Sequence, residues 1–66
     1  MTFILNGEER DGPAGMTLAD LIADLELAHQ RLAVEVNEDV IPRSAFADHV
    51  IEDGDRIEVV SFVGGG

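Results

Sequence analysis

The stretch Thr17-Leu18-Ala19-Asp20-Leu21-Ile22-Ala23-Asp24-Leu25 narrows the folds open to this chain more than any other. Leu18, Leu21, Ile22 and Leu25 recur at i, i+3, i+4 and i+7, so a helix gathers them on one continuous face. Thr17 stands at the N-cap with Asp20 three residues on, a T-x-x-D arrangement in which side chain and backbone cap each other. Ala19, Ala23 and Asp24 fall on the opposite side. This is the one strong helical period in 66 residues. A single amphipathic helix of two to three turns must bury its face on something else, and the rest of the chain reads as strands.

Thr2-Phe3-Ile4-Leu5 is β-rich and ends at Asn6-Gly7, a pair that tolerates the positive φ of a type I′ hairpin turn. The return strand, Glu8-Glu9-Arg10-Asp11, is too polar for anything but a solvated edge. Gly12-Pro13-Ala14-Gly15 breaks regular structure before the helix. After it, Leu32-Ala33-Val34-Glu35-Val36 alternates, with Leu32, Val34 and Val36 pointing one way. A turn over Asn37-Glu38-Asp39 leads to a short pairing segment, Val40-Ile41, which Pro42 stops. Arg43 to His49 predicts a single helical turn with Phe46 as its apolar plug. Glu52-Asp53-Gly54-Asp55 is a tight turn, and the last strand runs from Arg56 to about Val63. In it Ile57 and Val59 face the core while Glu58, Val60 and Phe62 face away, unless the last two pack under the short helical segment. The order predicts an α+β fold of β-grasp type: a four- to five-stranded mixed sheet packed on one main helix. First and last strands lie parallel at the centre, with the helix as their crossover. The expected organisation is one domain over residues 1–63 and a flexible glycine tail over residues 64–66.

Composition removes several functions. No cysteine is present, which excludes disulfides, thiolate metal sites and a cysteine nucleophile. Fourteen Asp and Glu stand against four Arg and no Lys, for a formal net charge of −10. Such a domain is repelled by phosphate backbones and anionic membranes, so neither nucleic acid nor membrane is an expected partner. The same charge suits a soluble surface or docking on a basic protein. No apolar run approaches a bilayer span and no signal peptide is evident, so the expected location is the cytoplasm.

The remaining chain offers little chemistry. His29 and His49 are twenty residues apart with no ligand spacing between them, and no metal site is expected. The Glu52–Asp55 cluster lacks the calcium-loop pattern and reads as a polar turn. Ser44 and Ser61 have no base nearby in sequence. The Gly12–Gly15 stretch lacks the lysine and spacing of a phosphate loop. Nothing here points to an enzyme.

The chain closes on Val59-Val60-Ser61-Phe62-Val63-Gly64-Gly65-Gly66. Glycines after a strand can be a frayed end or a purification remnant. A carboxylate that must reach the α-phosphate of ATP inside a partner's narrow channel has a further use for them, since glycine removes every side-chain clash. Three such residues extend roughly 10 Å past their anchor. The strand runs into them without a polar linker, which favours this second use.

The whole chain resembles the sulfur carrier proteins of thiamine (thiazole) biosynthesis, a small ubiquitin-like family. The resemblance rests on the N-terminal strand into Asn6-Gly7-Glu8 and on the Thr17-Leu18…Leu21-Ile22…Leu25 helix. It rests also on Val34-Glu35-Val36-Asn37…Val40-Ile41-Pro42-Arg43 and on Gly54-Asp55-Arg56-Ile57-Glu58-Val59-Val60 with the terminal glycines. It implies that the terminal carboxylate is adenylated by an E1-like adenylyltransferase using ATP and magnesium. A sulfur donor (a cysteine desulfurase or sulfide) then makes it a thiocarboxylate, and thiazole synthase takes the sulfur. The carrier itself binds no cofactor and is a monomer when alone. Carried over, Gly66 is the modified residue, Gly65 and Gly64 the tail that enters the active sites, with Gly64 adding only slack, and Val60 and Phe62 a partner-binding patch. Arg43 belongs to the pattern without an assigned role. Three other functions stay open: a carrier for molybdopterin or cysteine synthesis, a ubiquitin-like modifier joined through Gly66, or a passive interaction module.

Overall fold

The computed structural model describes residues 1–62. Strand β1 (Thr2–Leu5) turns at Asn6-Gly7 into β2 (Glu8–Asp11), with Leu5 opposite Glu8. Both turn residues have positive φ, 50° and 84°, as a type I′ turn needs. Every residue of β2 is exposed, so it forms the solvated edge that its composition predicts.

Helix α1 (Leu18–Asp24) opens on the expected reciprocal cap. The Asp20 amide donates to Thr17 Oγ1 at 3.1 Å, and the Thr17 amide donates to Asp20 Oδ2 at 2.9 Å. Leu18, Leu21 and Ile22 are buried, and Leu25 caps the C-terminal end. Glu26 follows with φ 60°. Its amide donates to the Ala23 carbonyl and that of Leu27 to the Ile22 carbonyl, each at 3.0 Å, which satisfies two terminal carbonyls and folds Leu27 back onto the core. One expectation is corrected. Ala19 does not face solvent but packs partly buried against the core, its amide donating to the Phe46 carbonyl at 3.1 Å. The segment from Arg43 to Phe46 folds over that flank of the helix, which helical periodicity alone cannot reveal.

Strand β3 (Leu32–Val36) buries Val34 and Val36 and leaves Leu32 partly buried at its start. The hairpin that follows turns on Asn37 and Glu38, at φ 51° and 74°. Asp39 is already paired with Val36, so it belongs to β4 (Asp39–Ile41) and not to the turn. The expected helical turn from Arg43 to His49 is a shorter 3-10 turn, Arg43–Ala45, capped by buried Phe46. Strand β5 (Arg56–Ser61) ends before the expected limit near Val63, which lies outside the described residues.

The five strands form one mixed sheet in the order β2-β1-β5-β3-β4. Strands β1 and β5 are parallel at the centre, with Ile4 opposite Arg56 and Leu5 opposite Ile57, and α1 lies on the crossover between them. This is the α+β, β-grasp arrangement of one helix on one sheet. Phe3, Leu18, Leu21, Val34 and Ile57, the most completely enclosed side chains, come from strands and helix alike and fill the space between them. The proposed boundary between a domain over 1–63 and a tail over 64–66 lies outside the described residues.

Candidate functional site

The C-terminal half of β5 is where the sequence locates function, and its surroundings change along its length. Ile57 is fully buried and Val59 is nearly so, which fixes the strand to the core. On one side β1 pairs only as far as Ile57. Asn6 then extends that side by one step. Its backbone amide donates to the Ile57 carbonyl at 2.9 Å, and its side chain meets Val59 twice: Val59 N–H donates to Oδ1 at 2.9 Å, and Nδ2 donates to the Val59 carbonyl at 3.2 Å. A turn asparagine thus stands in for the next residue of a strand.

On the other side β3 continues further. Val34, Ala33 and Leu32 oppose Val59, Val60 and Ser61 in turn. Beyond them the Phe62 amide donates to the Arg31 carbonyl at 2.9 Å, and Ser61 Oγ donates to Gln30 Oε1 at 2.5 Å. Phe62 is the last described residue. Gly64, Gly65 and Gly66, the expected tail and modified residue, lie outside the described residues. Four residues follow Phe62, a length that spans at most about 14 Å.

Val60 and Phe62 do not pack under the 3-10 turn, where Phe46 fills the space; they are exposed, at 51% and 56%. Val60 shares the outward sheet face with Glu58, since alternate residues of a strand point the same way. Glu58 stands directly opposite Glu35 on β3. Those two carboxylates, with Asn37, Glu38 and Arg56, line a shallow concavity of about 310 Å³. The outward face therefore grades from acidic at the Arg56 end of β5 to apolar at Val60 and Phe62. Three carboxylates against one guanidinium leave its acidic end net negative.

Other sequence candidates settle into structural work. Asp53 and Asp55 spend their carboxylates on backbone amides: Thr2 N–H donates to Asp53 Oδ1 and Glu52 N–H to Asp55 Oδ2, each at 2.8 Å. His29 is exposed, and the His49 carbonyl accepts from Leu18 N–H at 3.0 Å. Among the described residues no group of three or more His, Asp or Glu is placed to hold a metal ion, and no helix is long and apolar enough to cross a membrane. Sequence reasoning missed Asn6 and Gln30 as supports of β5. Asn6 is visible in sequence only as a turn former, and its partner lies 53 residues away.

Known proteins add an independent line. The model of the ThiS family matches residues 3–66. The sulfur carrier protein ThiS of Escherichia coli is 29% identical over 66 residues, covering all of both chains. A thiazole synthase of Paramagnetospirillum magneticum is 41% identical over the same length; the chain is wholly covered but spans only 20% of that relative. Among solved structures, the thiamine biosynthesis protein ThiS of Geobacter metallireducens superposes with a TM-score of 0.81 at 33% identity, covering all of both chains.

Proposed function

The chain belongs to the ThiS family, the sulfur carriers of thiamine biosynthesis, and on that premise we propose that its C-terminal glycine carboxylate is the group that bears the sulfur. The observation that carries this reading is the extent of the match: it runs from residue 3 through Gly66 and so includes the glycines that follow the central strand.

The chemistry follows from what a carboxylate lacks. It is a poor electrophile, because its leaving group would be oxide. An E1-like adenylyltransferase with ATP and magnesium overcomes this: a Gly66 carboxylate oxygen attacks the α-phosphorus and pyrophosphate departs. The resulting acyl adenylate carries AMP as a good leaving group. Sulfide attacks the acyl carbon, AMP departs, and a thiocarboxylate remains. Sulfur carried as the persulfide of a cysteine desulfurase first gives an acyl disulfide, from which a thiol releases the same thiocarboxylate while being oxidised to a disulfide. The thiocarboxylate sulfur is a nucleophile tied to a protein address, ready for thiazole synthase without release of free sulfide. In this reading the carrier supplies no catalytic group; its own terminus is the substrate.

The described residues fit the roles left to them. Ile57 and Val59 fix the strand, while Val60 and Phe62 offer an apolar contact next to the acidic Glu35–Glu58 face. A partner surface with an apolar patch bordered by arginine or lysine complements that grading. Gly65 and Gly64 give Gly66 a path free of side-chain clashes, Gly64 adding slack. Thiazole synthase is favoured over molybdopterin or cysteine synthesis as the destination because a protein bearing that name contains a stretch like this chain.

The test is to incubate the chain with ATP, magnesium, an E1-like activating enzyme of the family and sulfide, then measure its intact mass. The expected product has one oxygen replaced by sulfur at Gly66. Deleting Gly66, or adding one residue after it, abolishes the change and leaves the fold intact. An unchanged mass with an enzyme that activates a known carrier overturns the proposal. Gly66 recovered in isopeptide linkage from cells shows a modifier instead.

A further inference from the structure

We propose that Arg43 is a positioning residue for the C-terminal tail: its guanidinium clamps the loop that moors the end of β5. The inference rests on the reading of Gly66 as the sulfur-bearing residue, but its physical core stands on contacts among residues 28–62.

Beyond Val59 the strand has lost its neighbour on the β1 side, since β1 pairs only to Ile57 and Asn6 reaches only Val59. The last steps of β5 therefore depend on the chain that leads into β3. Gln30 accepts from Ser61 Oγ, and the Arg31 carbonyl accepts from Phe62 N–H. Residues 26–31 join α1 to β3 and contribute little regular bonding of their own, among it a Gln30 amide donating to the Leu27 carbonyl at 3.0 Å. Among the described residues Arg43 grips their backbone from the side away from β5. Its Nη1 donates to the Ala28 carbonyl at 3.0 Å, and its Nη2 donates to the Gln30 carbonyl.

The residue type suits the task. Two carbonyls two residues apart are gripped together by a planar fork, which lysine, a point charge with rotating donors, does not reproduce. The fork itself is founded on the core. Its Cζ lies 5.9 Å from the ring centroid of Phe46, which is buried. Behind it, Pro42 at φ −70° leads directly into the 3-10 turn that opens on Arg43. A continuous line of contacts thus runs from Phe46 through Arg43 to the 28–31 backbone and on to Ser61 and Phe62. Among the described residues the Arg43 fork bonds to the 28–31 loop and not to β5 itself. It sets the direction from which the tail departs.

A loosened mooring leaves docking intact but spreads the docked tail over more orientations, so fewer encounters bring the carboxylate in line with the α-phosphate. The effect falls on turnover and not on affinity. Arg43→Lys and Arg43→Ala are compared with the unaltered chain by amide hydrogen exchange and by sulfide-dependent thiocarboxylation with the activating enzyme. In both variants the Phe62 amide exchanges about tenfold faster while the Ile57 and Val34 amides keep their protection. In the same variants kcat for activation falls about tenfold with KM unchanged, as misplacement remote from the reacting atoms predicts. If Arg43→Ala does not fold, Arg43→Lys carries both measurements. Unaltered Phe62 exchange in a folded variant overturns the clamp, as does a rise in KM with kcat preserved. If the unaltered chain is not thiocarboxylated at all, the functional reading falls, and the exchange arm still decides whether Arg43 holds the end of β5.

Discussion

Strand β5 divides into two halves that obey different rules. From Arg56 to Val59 it is gripped on both sides, by β1 and Asn6 on one and by β3 on the other, and it places Ile57 and Val59 in the core. At Val60 and Ser61, and at Phe62 just beyond its end, the chain is held on the β3 side, and Val60 and Phe62 are exposed. The same six-residue strand is first an anchor and then a platform. Under the proposed function the terminus enters other proteins, which needs both: a base that does not move, and an end whose side chains are free for a partner. Energetically the two halves separate cleanly, because apolar burial fixes the first while only backbone pairing and the 28–31 loop fix the second.

The anchor half is the easier to break. Ile57 is fully enclosed at the centre of a core of few side chains. Truncating it to alanine removes three methyl or methylene carbons and leaves a cavity, at a cost of about 3–4 kcal/mol. A domain of this size has on the order of 3–10 kcal/mol in all, so Ile57→Ala removes a large share of it. Urea unfolding with unchanged slope and a much lowered midpoint is the expected result. A midpoint shift worth less than about 1 kcal/mol contradicts Ile57 as the anchor.

Asn6 supports the border between the halves. Asn6→Gly keeps the positive φ open and removes both side-chain bonds to Val59, so it isolates those bonds from the turn. The expected loss is about 1–2 kcal/mol, with faster exchange at the Val59 amide. Equal protection of Val59 in the variant shows that water or a shifted strand replaces the asparagine.

How far this was legible in sequence follows the same division. Alternation along Arg56–Val59 and the period of Leu18, Leu21 and Ile22 specify which residues go inside, because burial imposes those periods directly. The parallel pairing of β1 with β5 followed from element order, since one helix of sufficient length sits on the connection. Ala19 defeated the period because a segment more than twenty residues later covers its flank, and a helix cannot report what lies over it. Arg43, Gln30 and Asn6 were opaque for a related reason. Arg43 and Asn6 bond to backbone atoms of distant residues, which have no sequence signature, and Gln30 bonds to the hydroxyl of Ser61, 31 residues away. The terminal glycines lie outside the described residues, and what marks them in sequence is the side-chain clash that glycine avoids.

The platform half yields the smallest effect on stability and the sharpest contrast. Val60 and Phe62 bury too little to matter for folding, so the double variant Val60→Ser, Phe62→Ser changes stability by no more than about 0.5 kcal/mol. If the pair is the docking contact, the same variant weakens association with the activating enzyme about tenfold or more, since apolar residues at the centre of an interface carry much of its energy. The Phe62 amide is untouched by the change and keeps its bond to the Arg31 carbonyl, so the strand end keeps its mooring. KM for the carrier therefore rises while kcat at saturation holds, the reverse of the split expected from loosening the 28–31 loop. The two proposals for one strand end are thus separable by kinetics alone: in one the apolar pair sets how often the partner is met, in the other the loop sets how often the carboxylate is aimed once it is. A double variant with unchanged KM removes Val60 and Phe62 from the interface and moves the contact to the acidic face around Glu35 and Glu58.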